Sequence, residues 1–228
     1  MDVAPVPAAT TTPRMRAGAS GYALFAAGLA VLGAAWLGPL PAWSRQSFAA
    51  HMAMHMAVVA LAAPLLAAGL GGSRLDPVHR WPALFAPVAA SMAEFLVVWA
   101  WHAPALHHAA RAGAGMLVLE QGTFLAVGLG LWLAALGGDP EQRRERSVAG
   151  IGALLLTSMH MTLLGVLLAL AGRPLYAHAG HVPAGLTALQ DQHLGGVLML
   201  ALGGAAYLGG ALWLLAGLLR ERAGARRG

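Results

Sequence analysis

Six apolar stretches follow one another along the chain, at about residues 18–38, 48–70, 82–101, 114–137, 147–171 and 192–219, with most charged residues in the breaks between them. Each is close to the roughly 20 apolar residues that a helix needs to cross a bilayer. The runs are rich in Ala, Leu and Gly and lack the long alternation of a half-buried strand. A helix satisfies its own backbone hydrogen bonds in lipid. The pattern therefore predicts an all-α, polytopic membrane bundle of about six transmembrane helices over residues 18–219. The first stretch exceeds the apolar region of about 7–15 residues that marks a signal peptide, so it reads as a retained helix. Residues 1–17, rich in Pro, Thr and Ala, read as a disordered tail, and 220–228 as a basic one.

Composition agrees. The chain is 58% hydrophobic and 10% charged, with a mean hydropathy of +0.66, where a soluble domain carries about 25% charged residues. Its net charge is +5, and every basic residue is arginine. Eleven of the fourteen arginines fall in the N-terminal segment, the second and fourth breaks and the C-terminus; the alternate breaks hold only Arg45, Arg111 and Arg173. The positive-inside rule then places both termini in the cytoplasm, with the arginines beside anionic lipid headgroups rather than nucleic acid. Cysteine is absent, which excludes disulfides and thiolate metal sites. Any bound metal must use His, Met, carboxylate or backbone oxygen.

With that topology, nine of the ten histidines lie on the outer side or within the outer half of the spans, leaving only His79 in a cytoplasmic loop. The predicted outer loops, about 39–47, 102–113 and 172–191, contain His102, His107, His108, His178 and His181. The strongest motif is His51-Met52-Ala53-Met54-His55-Met56. Two histidines at i,i+4 share a helix face, a spacing that suits two ligands on one ion. Interleaved thioethers favour Cu(I), and imidazole accepts either oxidation state of copper. An ordinary packed helix with interfacial histidines is the competing explanation. Met159-His160-Met161 repeats the theme deeper, about 16 Å below the outer surface, but its methionines point some 100° to either side of the histidine. His107-His108 reads as a solvated loop pair.

Glu94 and Glu120 lie within predicted spans, where a carboxylate normally faces a partner or a watery cavity. Asp191-Gln192-His193 opens the last span, and Asp191 there has the position of an N-cap. Gly196, Gly203, Gly210 and Gly217 form a seven-residue seam that should face the bundle and turn His193 inward with it. These placements give an expected metal site of His51, His55, Met52, Met54, Met56, His102, His193 and His160, supported by Glu94, Glu120, Asp191 and Gln192.

Five segments in order resemble the CtaG family of cytochrome c oxidase assembly factors, the multi-helix membrane proteins associated with caa-type oxidases. They are HMAMHMAVVALAAPLLAAG (51–69), WHAPAL (101–106), LEQGTFLAVGLGLW (119–132), PLYAH (174–178) and DQHLGGVLM (191–199). Gln121 stands where the family pattern has histidine. The resemblance implies a bacterial inner-membrane protein that supports oxidase maturation by supplying copper, with an oxidase subunit as client. It carries over His51, His55, His102, Asp191 and Gln192 as positions of interest. No chemical step is required of such a protein, so an enzyme is not expected. Three rival readings stay open: a copper permease, a b-type haem protein with His55 and His160 as axial ligands, and a metal-free assembly scaffold.

Overall fold

The computed structural model describes residues 19–176 and 185–225, which are helical with no strand among them. The expected tail over 1–17, the last residues of the basic tail, His178 and His181 lie outside the described residues. The helices are α1 (Ala19–Leu37), α2 (Leu40–Trp43), α3 (Phe48–Met56), α4 (Ala63–Leu70), α5 (Pro87–His102), α6 (Pro104–Ala112), α7 (Ala114–Leu136), α8 (Arg143–Ala169), α9 (Ala188–Leu198) and α10 (Gly204–Ala225). A π-turn at Ala57–Ala62 joins α3 to α4 in one continuous rod, and another at Met199–Gly203 joins α9 to α10.

Among the described residues, five helical rods are long and apolar enough to cross a bilayer: Ala19–Leu37, Phe48–Leu70, Ala114–Leu136, Arg144–Ala169 and Ala188–Gly224. The six expected spans are thus five by length. The third is cut short because Pro82 and Pro87 delay the start of α5 and Pro104 ends it, leaving 16 residues, about 24 Å. Yet α5 still runs from one end of the bundle to the other, packed between α7 and α8. Arg146 at the start of α8 donates to the Phe85 carbonyl just before α5 (3.1 Å), and His102 at its far end lies beside α3.

The expected outer loop at 102–113 is corrected too. It is helix α6, started by Pro104 at its first position, where a missing N–H costs nothing, and ended at Gly113. Arg220 and Arg222, expected in a tail, continue α10.

Small residues set the helix contacts, as expected where lipid offers no hydrophobic drive between helices. Gly28 on α1 meets Leu66 on α4, and Gly69 on α4 meets Phe25 on α1. Gly195 packs on Phe48 and Met52 of α3, while its neighbour Gly196 packs on Gly165 and Ala169 of α8, so adjacent glycines let α9 touch two helices at once. The predicted seam holds for Gly196, Gly203 and Gly210, which face α8, Met56 with Met161, and Trp132 respectively; Gly217 faces open space.

The two ends differ in content. At one end, beside Arg74, Arg80 and Arg146, two loops are tied by Asp76, which accepts from the amides of Gly72 (2.9 Å), Val78 (2.9 Å) and Gly138 (2.8 Å). Gly72 and Gly138 have φ of 71° and 97°, conformations that glycine alone adopts freely. The opposite end collects the histidines.

Candidate functional site

Helix α3 begins at Ser47, whose Oγ accepts from the Ala50 amide (3.1 Å). A second cap comes from α9. Asp191 accepts from Ser47 Oγ (2.7 Å), the Phe48 amide (2.5 Å) and the Ala49 amide (3.3 Å). This fixes the start of α3 and with it the direction of every side chain in the His-Met motif. Asp191 therefore caps another helix; its own α9 is capped by Thr187 in a capping box with Gln190.

Both histidines of the motif are fully buried and lie on the face turned to α5, α6 and α7. His102, at the end of α5, lies between them, with ring centres 6.1 Å from His51 and 5.5 Å from His55. Its Nδ1 is 2.6 Å from the Val98 carbonyl. A carbonyl only accepts, so Nδ1 carries the proton, and the neutral form of the ring presents its lone pair at Nε2. Phe124 of α7 floors the cluster, 4.0 Å from the His55 ring.

The sequence reading missed the other half of the cluster. His107, expected in solvent, is fully buried, its ring centre 4.9 Å from His51 and 4.4 Å from Tyr176. Arg111, one turn further along α6, forms a 2.6 Å ion pair with the buried Glu120, and that same carboxylate oxygen lies 3.8 Å from His51 Nδ1. Gln121 Nε2 donates to it as well (3.2 Å). The signal was present: Pro104 followed by eight residues without glycine predicts a helix, and His107 and Arg111 at i,i+4 share its face. Tyr176 closes the top by donating to the His102 carbonyl (2.6 Å). Burial pushes its phenol up to about 12, so it keeps its proton across the neutral range.

Other expected site residues lie elsewhere. Met52 and Met56 form a second stripe on α3, toward Gly195 and Gly203 of the α9–α10 rod, about 100° from the histidine stripe. Met54 is fully buried in the core. His193 turns inward as the glycine seam implied, but the seam faces α8, and its Nε2 lies 2.9 Å from the Ala171 carbonyl beyond that helix. The His160 ring packs on Phe95 (5.3 Å), whereas the His55 ring packs on Phe124, so the two line different interhelical spaces. Met159 faces outward and Met161 is fully buried, as their spacing implied. Glu94 pairs with the Tyr207 hydroxyl (2.5 Å), beside the π-turn carbonyl of Val59 that accepts from Trp132 (3.2 Å). Gln192 accepts from the Leu175 amide (2.6 Å) and donates to Leu168, tying the loop after α8.

A model of the family described as cytochrome c oxidase caa3 assembly factor matches residues 8–221, nearly the whole chain. The chain belongs to that family. No curated protein and no solved structure matches it. The match spans every helix that builds the cluster, so in this assembly factor α3, α5, α6 and α7 come from one continuous family domain. Gln121 is held by Trp36 Nε1 (3.3 Å) and spends its amide on Glu120, which makes it a brace for the carboxylate.

Within this oxidase assembly factor the histidine cluster has one chemical peculiarity. Both ring nitrogens of His51, both of His55 and Nε2 of His102 are buried without a hydrogen-bond partner, as are both of His160 in its separate space. Native structures pair the great majority of such atoms, and each exception costs about 1–3 kcal/mol. Two imidazoles that share an ion at about 2 Å from each nitrogen have ring centres some 5–6.5 Å apart. The His51–His102 and His55–His102 separations fall in that range. Among the described residues, no three His, Asp or Glu side chains already converge on one point, so the donors are adjacent rather than closed around a centre.

Proposed function

We propose that this assembly factor carries copper at the histidine end of its bundle and supports its insertion into cytochrome c oxidase. The observation that supports this reading is the trio His51, His55 and His102, buried side by side with five unpaired ring nitrogens. Neutral imidazoles suit Cu(I), which accepts as few as two ligands, and copper here is cargo rather than a resident cofactor. The arginine bias places this end outside, with both termini in the cytoplasm of a bacterial inner-membrane protein. The client is an oxidase subunit that receives the ion on that side. Nothing in the transfer breaks a covalent bond, so the role is carriage, not catalysis. Met52, Met54 and Met56 contribute packing along α3, and His160 and His193 stand apart from the load.

Copper content and Cu(I) affinity of purified protein, wild type beside His51→Ala/His55→Ala, test the proposal. Wild type should bind copper stoichiometrically. The double variant should weaken binding by more than about a hundredfold, beyond the loss typical of a mere supporting group. Cu(I) binding that is absent from wild type, or unchanged in the variant, would overturn it.

A further inference from the structure

The copper-carrying reading leaves Arg111 and Glu120 without a part. Arg111 is a cation on a short helix that lies across the histidines, its side chain 8% exposed, and its guanidinium shares one oxygen of the fully buried Glu120 with His51. Arg111 Nη1 also lies 3.5 Å from His107 Nδ1. A surface ion pair would be an unremarkable brace. This pair is out of solvent and directly beside the candidate donors, where charge is felt strongly.

Resting on that reading, we infer that Arg111 is the charge filter of the site: by cancelling Glu120 it keeps the histidine trio neutral overall and so favours a monovalent over a divalent ion. His51, His55 and His102 bring no charge as neutral ligands. Glu120 alone would add a full negative charge beside His51 and reward a divalent ion twice as much as a monovalent one. The tethered guanidinium removes that reward. At about 6 Å and an effective dielectric constant of about 20, each additional unit of ion charge then shifts affinity by roughly a hundredfold. Arg111 touches neither the ion nor a ligand nitrogen of the trio. It acts through Glu120 and the local potential, which makes it a positioning and selectivity residue.

The measured quantity is the ratio of Cu(I) to Zn(II) affinity in the full-length protein, each metal added alone under anaerobic conditions against a chromophoric chelator. Arg111→Gln should lower the ratio by roughly ten- to a hundredfold. Glu120→Gln, which leaves the guanidinium uncompensated, should raise it. Arg111→Lys and the double variant Arg111→Gln/Glu120→Gln should stay close to wild type, since both preserve the local charge sum. A brace that only holds α6 in place would change both affinities together and leave the ratio still. If Arg111→Gln does not fold, Glu120→Gln alone decides the sign. Wild type that binds no Cu(I) overturns the copper reading itself. Wild type that binds Cu(I) with a ratio indifferent to Arg111→Gln and Glu120→Gln overturns the filter alone.

Discussion

The two ends of the bundle each bury a fully used aspartate, but one of them also buries a group of histidines. At the arginine end, Asp76 is buried and completely used: three backbone amides converge on it and two loops are tied together. At the histidine end, Asp191 is used in the same manner, on α3, yet beside it stand three histidines with unpaired nitrogens. A polar group that is satisfied by its own fold needs no further explanation. One that is not carries a standing cost of about 1–3 kcal/mol. The difference separates carboxylates that hold the structure from imidazoles that the structure holds.

Mutations can break that contrast. The largest effect is expected for Asp191→Ala, which strands two amides and a hydroxyl at the buried start of α3 and should cost about 2–4 kcal/mol in thermal unfolding of the detergent-solubilised protein. A melting temperature equal to wild type would remove Asp191 from the structural class. His193→Ala deletes a single bond to the Ala171 carbonyl and should cost about 1 kcal/mol, with Cu(I) affinity within about threefold of wild type because the site is remote. A large loss of copper there would return His193 to the site. The smallest stability change is expected for His55→Phe. The ring already packs on Phe124, and the change removes two unpaired nitrogens, so the melting temperature should hold or rise while copper binding falls. A clear drop in stability would mean that His55 has a partner and belongs with the carboxylates.

Much of this arrangement was legible in the sequence. Apolar length gave the all-α membrane bundle, and arginine bias sorted the loops into two sets that the fold does gather at opposite ends. The i,i+4 spacing put His51 and His55 on one face, and Trp-His-Ala-Pro placed His102 at a helix end. What could not be read was azimuth between helices. Met52 and Met56 share the motif with the histidines, but which neighbour each stripe meets depends on α9, which packs through Gly195 on the methionine side. His193 was correctly turned inward and wrongly aimed, because the glycine seam specifies a close neighbour without saying which one. The α6 segment was misjudged because its charge and histidines outweighed a helix start signal at Pro104, and with it went the buried Arg111–Glu120 pair.

The carboxylate that caps α3 lies 143 residues further along the chain than the amide it receives. During synthesis α3 is therefore made well before the carboxylate that caps its leading amides. The histidine stripe thus takes its aim from a residue made long after it. A chain without α9 lacks that cap, so the direction of the His51 and His55 side chains depends on a helix remote from them in sequence.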